Sequence, residues 1–211
     1  NINIMRAMST KLLFTIILCL LYVTITDAKE KLKFGSSIIL YRDLSDTYGK
    51  GNSLTGSISV YKNWYGASID IGYYQAQSVF IYNVLLEDLN KKFEIQFDEV
   101  SNMRCYSLSI LFLPVQKEWI LIEVPVGIAC NRAVNSQFNK VDYSYSLVDD
   151  KFNYLYKDYK LVERTHLGYQ AGINITFYPL PNIGLQISSK IQDLSNGGTF
   201  FLVGAGLKFK F

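Results

Sequence analysis

The sequence predicts an all-β fold, an antiparallel up-and-down transmembrane barrel of eight strands that follows an N-terminal signal peptide. Three observations predict it. Segments after residue 28 alternate apolar and polar side chains, which places the two sets on opposite faces of a strand. The connections between these segments alternate between long and short. Aromatic side chains flank the short connections.

The N-terminal region has the pattern of an export signal. An apolar run of about fifteen residues, 12–26, follows Lys11, which is short for a membrane-spanning helix. Thr26 and Ala28 occupy the −3 and −1 positions of a signal peptidase site. We therefore predict a signal peptide at 1–28, cleaved after Ala28, and a single domain at 29–211; an uncleaved anchor helix is the alternative.

The charge of the mature chain argues against nucleic-acid binding. The full chain has a formal net charge of +3, and removal of the signal peptide takes away Arg6, Lys11 and Asp27. The remaining balance is close to neutral, whereas nucleic-acid binders usually carry a strong basic patch.

Eight strands are predicted in the mature chain, joined by connections of two lengths. The strands are 31–42, 53–62, 66–77, 101–113, 118–130, 163–178, 182–191 and 199–211. Short turns lie at 63–65, 114–117 and 179–181, and long loops lie at 43–52, 78–100, 131–162 and 192–198. Because consecutive turns of an up-and-down barrel fall at opposite ends, all short turns share one end with both termini. This asymmetry is typical of barrels in the bacterial outer membrane.

The alternation within the strands supports membrane crossing. In the third, fifth and sixth strands the apolar side chains lie on one face, and the opposite face carries polar residues such as Asp70, Glu123 and His166. In the sixth strand the apolar set is Leu167, Tyr169, Ala171, Ile173, Ile175 and Phe177. Periodicity does not distinguish a lipid-facing set from the inward set of a soluble barrel or sandwich.

The aromatic residues beside the short turns favour the membrane alternative. Tyrosine and tryptophan prefer the membrane–water interface, and we expect a periplasmic girdle made of Trp64, Tyr65, Trp119 and Tyr178. The alternative is that these rings cap a soluble core.

The last strand carries a resemblance to a known family. The ending GAGLKFKF alternates apolar residues and stops on Phe211. It resembles the C-terminal strand of small outer-membrane β-barrel proteins of the OmpA/OmpX-like and PorT-like type. The resemblance implies a monomeric protein in the outer membrane of a Gram-negative type envelope, surrounded by lipid. It also implies that the barrel-assembly machinery recognises one face of this strand, formed by Ala205, Leu207, Phe209 and Phe211.

If the apolar set faces lipid, several charged residues point inward. An eight-stranded barrel is just wide enough for side chains to fill, and enclosed charges must pair or stay hydrated. We hypothesise a charged plug formed by Lys33, Asp70, Glu123 and Lys208. The alternative is that these groups occupy separate hydrated pockets.

Two of the long loops are candidates for extracellular contacts. The loop at 131–162 carries five tyrosines, which suit a recognition surface or, alternatively, cross-strand pairs in strands extended above the membrane. They are Tyr143, Tyr145, Tyr154, Tyr156 and Tyr159. The segment 78–100 contains the alternating run KKFEIQFDEV, so a protruding hairpin or a ten-stranded barrel stays open.

The chemistry-bearing residues do not form a catalytic pattern. A Ser–His pair needs a serine near the histidine, and the residues that correspond to a deacylase His-x-Ser motif are His166, Leu167 and Gly168. Cys105 and Cys130 lie on adjacent strands but on opposite faces, which opposes a disulfide. We predict no enzyme, metal or cofactor site. The expected role is structural or adhesive, through external loops that meet an extracellular ligand or an envelope protein; a small pore or an accessory subunit of an envelope complex is the alternative.

Overall fold

The computed structural model describes residues 32–45, 47–86 and 91–211, and these residues form a closed, eight-stranded antiparallel barrel. Each strand pairs with the next, and the last strand closes the ring on the first through pairs such as Ser37 with Lys208. The strands are β1 (Lys33–Asp43), β2 (Lys50–Lys62), β3 (Tyr65–Leu86), β4 (Lys91–Gln116), β5 (Ile120–Ser146), β6 (Lys151–Leu180), β7 (Ile183–Leu194) and β8 (Gly198–Lys210).

The predicted strand number and topology are confirmed, and the ten-stranded alternative is excluded by the closed ring of eight. The predicted signal peptide at 1–28 lies outside the described residues. Within residues 32–45, 47–86 and 91–211, no helix is long and apolar enough to cross a membrane.

Most residues of the two longest predicted loops are strand, which agrees with the protruding hairpin and the extended strands that the sequence left open as alternatives. β3 and β4 continue through 78–86 and 91–99, and β5 and β6 continue through 131–146 and 151–162. The asymmetry between the two ends is therefore one of strand length. We call the end of the short turns the periplasmic end and the end of the extended strands the external end, as in other outer-membrane barrels.

The sidedness of the strands agrees with the prediction. Large aliphatic side chains such as Ile58 (69% exposed) and Ile187 (57%) cover the outside, whereas Ser59 and Ser188 on the same strands point inward and are buried. Exposing such a surface to water costs about 25 cal/mol per Å² of apolar area. The outer face is thus suited to lipid.

Aromatic rings border the outer apolar surface at both ends. At the periplasmic end Trp64 and Trp119 are exposed, and Trp64 stacks on Phe112 with ring centroids 6.4 Å apart and meets Tyr65 edge-on at 5.4 Å. At the external end the outward rings are Tyr73, Tyr106, Tyr169 and Phe201. The stretch of β3 from Tyr65 to Tyr73 connects the two aromatic borders. At about 3.4 Å per residue and a tilt of about 40°, it spans about 21 Å along the barrel axis, close to the ~25 Å apolar band of such barrels.

Tyr178 was wrongly predicted as a member of the periplasmic girdle. Its ring is only 9% exposed and packs inside the barrel against Tyr61, Leu111, Leu113 and Leu121. Phe177 faces outward, and successive side chains of a strand alternate, so the next residue must point inward.

The seam between β1 and β8 depends on glycine. A Cβ atom at Gly206 would lie 2.0 Å from the carbonyl oxygen of Ile38, and one at Gly204 would lie 2.4 Å from that of Leu40. Both positions point into the barrel, where the ring of Tyr41 lies within 2.7 Å of the Cβ that Gly204 lacks. The absence of side chains there allows the two terminal strands to close the ring.

Candidate functional site

A buried ion pair crosses the periplasmic half of the lumen. Glu123 on β5 accepts hydrogen bonds from Lys208 Nζ on β8 through both carboxylate oxygens, at 2.5 Å each. The two side chains are 1% and 4% exposed. Lys208 also lies 5.7 Å from the centroid of the Tyr61 ring. The structure therefore brings together two of the four predicted lumen charges.

The other two predicted lumen charges do not join this pair. Asp70 accepts hydrogen bonds from Ser57 (2.7 Å), Ser107 (2.9 Å) and Gln170 Nε2 (3.3 Å). Lys33 lies at the first residue of β1 and donates to Gln116 Oε1 at 2.9 Å, at the periplasmic mouth. The predicted four-membered plug is thus replaced by one ion pair and one carboxylate held by neutral donors.

The ion pair and the Asp70 cluster form two layers of side chains across the lumen. A third layer closes the external half. Tyr74 donates to the buried carboxylate of Asp43 at 2.7 Å and meets Phe200 edge-on, with ring centroids 5.4 Å apart. Met103 and Leu202 pack into the same cluster. The cavities between these layers measure about 30 and about 10 Å³, a volume that suits about two water molecules.

No catalytic arrangement surrounds the single histidine among the described residues. His166 is buried at the external end of the lumen, and its Nδ1 lies 3.3 Å from the carbonyl oxygen of Ser195. A search of residues 32–45, 47–86 and 91–211 finds no group of three metal-ligating side chains. Cys105 and Cys130 are both free thiols, and Cys105 lines a lumen cavity.

The extended strands form two ribbons above the membrane band. The first ribbon pairs 78–86 of β3 with 91–99 of β4, and the second pairs 137–146 of β5 with 151–160 of β6. β4 and β5 are hydrogen-bonded to each other only from Val100 and Ser136 toward the periplasmic end. Above that level the ribbons meet through side chains instead of a backbone ladder.

An aromatic core joins the two ribbons. Phe97 is fully buried and meets Phe138 at 4.6 Å and Tyr159 at 5.7 Å between ring centroids. Phe138 also stacks on Phe80 and Tyr82 at 5.2 Å each. An isolated two-stranded ribbon is marginal in water, so this core is what makes the protrusion a stable body. The sequence analysis did not predict this aromatic core. The alternation of Phe93, Ile95 and Phe97 indicated an apolar face that needed a partner.

The five predicted surface tyrosines divide between this core and the surface. Tyr143 and Tyr145 pack on Phe152, with ring centroids 5.9 and 5.2 Å apart, and Tyr159 packs on Phe97. Tyr154 and Tyr156 remain exposed. The cross-strand packing that the sequence left open is thus found for Tyr143, Tyr145 and Tyr159, whereas Tyr154 and Tyr156 are exposed to solvent.

The ribbons have strand edges without a backbone partner in the described structure. β3 pairs with β2 only as far as Gln77 with Lys50, so 78–86 has one free edge. β6 pairs with β7 only from Gly168, and Leu167 accepts a hydrogen bond from the backbone of Ser195, so 151–166 also has one free edge. Exposed apolar side chains accompany these edges, among them Val79, Ile81 and Leu161. Such edges are ready templates for pairing with another chain.

Two exposed lysines on the ribbons make hydrogen bonds. Lys140 donates to Asp142 at 3.0 Å, and this hydrogen bond raises the pKa of the Lys140 ammonium. Lys157 ties the ribbons together, because its Nζ donates to the carbonyl oxygen of Gln96 at 2.6 Å and lies 5.5 Å from the centroid of the Phe97 ring.

Solved structures of outer-membrane barrels share this fold. A major outer membrane protein from Thermus thermophilus is similar with a TM-score of 0.53 and 13% identity, over 85% of this chain and 99% of that one. Neisserial surface protein A has a TM-score of 0.52 and 12% identity, over 85% and 97%. The N-terminal β-barrel domain of Pseudomonas aeruginosa OprF has 0.51 and 13%, over 85% and 97%.

No protein-family model matches the sequence, and no curated protein matches it. The structural neighbours nevertheless confirm the fold expected from the resemblance to small outer-membrane barrels. With the apolar outer band, the fold is that of a transmembrane β-barrel of the outer-membrane type.

Proposed function

We propose that this chain is a non-enzymatic outer-membrane protein whose external ribbons bind extracellular partners, in a structural or adhesive role. The observation that carries the proposal is the pair of ribbons that rise from β3–β6 on a shared aromatic core and keep free strand edges. A partner segment in extended conformation adds to such an edge through main-chain hydrogen bonds, while side-chain pockets supply specificity.

The chemistry of the ribbon surface supports contact with proteins. Tyr154 and Tyr156 stand exposed on β6 beside Leu155 and Leu161. Tyrosine offers amphipathic contact area at a low entropic cost, and exposed aliphatic residues rimmed by polar ones mark interaction sites. Because side chains alternate along a strand, the two tyrosines lie on one face of the ribbon and the two leucines on the other, so both faces beside the free edge of β6 offer contact area.

A variant with shortened ribbons tests the proposal. Residues 80–97 and 139–158 are each replaced by a two-residue Asn-Gly turn, which joins the paired residues Val79 with Asp98 and Phe138 with Tyr159, and the full chain is displayed on bacterial cells beside the wild type. We expect the variant to keep the gel shift between unheated and boiled samples, which reports a folded barrel. Its adherence to cell layers or to immobilised matrix proteins should fall at least tenfold. Equal adherence of both proteins, with both barrels folded, would refute the surface role.

A small pore, or an accessory subunit of an envelope transport complex, is the competing function. The ion pair of Glu123 with Lys208 and the cap around Met103 and Phe200 disfavour conduction. Liposome swelling with sugars of graded size separates the two functions. We expect no swelling above that of empty liposomes, and size-dependent swelling would favour the pore.

We propose that biogenesis follows the route implied by the resemblance. The export signal would be removed after Ala28, and the barrel-assembly machinery would recognise the outward residues Ala205, Leu207, Phe209 and Phe211 of the last strand. Phe211 is highly exposed, which leaves its ring accessible. The mature protein should have Lys29 as its N-terminal residue, and Phe211→Ser should reduce the folded fraction in envelopes, measured by the same gel shift. The barrel is expected to be monomeric.

A further inference from the structure

Two arginines lie directly opposite each other on the outside of the barrel. Arg104 on β4 and Arg132 on β5 are paired across the two strands, and both are exposed. Like charges in directly opposed positions of a sheet repel each other and destabilise the pairing. The arrangement therefore calls for an anion between them.

The neighbours of the arginine pair are also polar. Tyr73 on β3 pairs with Arg104, and Thr165 on β6 pairs with Arg132, so four polar side chains lie side by side across four strands. Asn102 lies in the next row and accepts the Tyr73 hydroxyl proton at 2.8 Å, which leaves its amide group as a further donor. A groove of about 330 Å³ runs between Tyr73, Asn102, Arg104, Arg132 and Glu163.

The charge balance of the groove leaves an excess of one positive charge. Arg132 contacts Glu163 at 3.0 Å, in an exposed ion pair of the kind that contributes at most about 1 kcal/mol. Arg104 has no ion pair within the residues that the structure describes. Glu163 thus neutralises one guanidinium and leaves the other available.

The position of the row along the barrel axis indicates the type of ligand. One step toward the periplasmic end, the outward position next to Arg104 is the girdle residue Tyr106, followed by the aliphatic band. The arginines therefore lie at the level of lipid headgroups. Guanidinium groups bind phosphate oxygens through paired, charge-assisted hydrogen bonds. We propose that Arg104 and Arg132 bind the phosphate group of an anionic lipid at the external membrane surface, below the point where the two ribbons separate.

Native mass spectrometry of the refolded full barrel in detergent tests this site. Short-chain phosphatidic acid is the probe, with phosphatidylcholine of the same chain length as the lipid control and inorganic phosphate as the free-anion control. We expect the wild type to retain phosphatidic acid at least tenfold more tightly than phosphatidylcholine. Arg104→Gln and Arg132→Gln should each weaken the phosphatidic acid complex about tenfold, since each removes a charge-assisted contact.

Matched variants separate a site from general surface charge. Arg42 is another outward arginine at the external rim, and it is hydrogen-bonded to Asn52 at 3.3 Å without an opposed arginine. Arg42→Gln should change the affinity less than twofold, whereas Glu163→Gln should strengthen it several-fold. The proposal is overturned if Arg42→Gln costs as much as the paired arginines, or if phosphatidylcholine binds equally well. It is also overturned if millimolar inorganic phosphate displaces the lipid, because the site would then recognise a small anion. The gel shift on heating confirms that each variant is folded.

Discussion

The buried ion pair in the lumen makes a quantitative prediction. Lys208→Met removes the ammonium group and leaves Glu123, which is 1% exposed, without its charged partner. Removing one partner of a buried pair typically costs about 3–5 kcal/mol, because a buried charge stays uncompensated. We therefore expect the free energy of unfolding to fall by about 3–5 kcal/mol at neutral pH. Tyr61 near the ammonium adds a smaller cation–π loss of about 1 kcal/mol.

The double variant Glu123→Leu, Lys208→Met isolates the charge effect. Replacing a buried pair by apolar groups of similar volume is often neutral or stabilising, so the double variant should recover most of the stability lost by the single one. Lys210→Met is the matched control on the same face of β8. Lys210 lies over the ring of Tyr178 at 5.7 Å and has no carboxylate contact within the described structure.

The measurement is equilibrium unfolding by urea in lipid vesicles, followed through the fluorescence of Trp64 and Trp119. Both tryptophans lie at the periplasmic end, away from the membrane centre, and report loss of the girdle. A single Lys208→Met cost below about 1 kcal/mol, or a double variant as unstable as the sum of its singles, would refute the assignment of the pair as a coupled buried unit.

Three further predictions concern the seam and the ribbons. Gly206→Val should prevent closure of β1 on β8, because its side chain would meet backbone at 2.0 Å, and we expect no heat-dependent gel shift; a normal shift would show that the seam tolerates the side chain. Phe97→Ala should open the ribbon core at a cost of about 3–5 kcal/mol and make the ribbons protease-sensitive while the barrel stays intact. The exposed Tyr156→Ala should leave the cleavage rate unchanged, and equal sensitivity of both variants would contradict the core role. Asp142→Asn should lower the pKa of Lys140 toward its ordinary value, because the pKa is raised first by the hydrogen bond from Lys140 to Asp142. An NMR titration of the ammonium group measures this, and the stability from that bond should be present below the ordinary lysine pKa and lost as the pH rises through the raised value.

The sidedness of the barrel was predictable because strand periodicity is a local property. In β8 the alternation from Phe201 to Phe211 assigns each residue to a face without knowledge of its neighbours. Closure of the sheet followed from the membrane environment, since an open sheet edge in a membrane leaves backbone groups unpaired. The position of each residue along the barrel axis did not follow. Lys33 shares the inward face with the other lumen charges, but strand register places it at the mouth beside Gln116.

The ribbons stayed one of several alternatives because loop length and strand length look alike in this sequence. The run from Phe93 to Phe97 alternates like a membrane strand. The local sequence does not distinguish an additional barrel strand from a hairpin that extends above the membrane. That choice depends on pairing between β3 and β4 beyond Gln77, where β2 has already ended. The arginine row depends on the same register, since Arg104 and Arg132 become neighbours only through the β4–β5 pairing.

The continuity of β3 from the periplasmic turn to the tip of its ribbon has a mechanical consequence. A pull applied at the tip travels along one uninterrupted ladder, from Leu86 opposite Lys91 down to Tyr65 opposite Phe112. The load then shears the backbone hydrogen bonds that join this hairpin to β2 and to β5, many at once instead of one by one. A tether built in this way would transmit tension from outside the cell straight into the barrel wall, without the slack of a floppy linker.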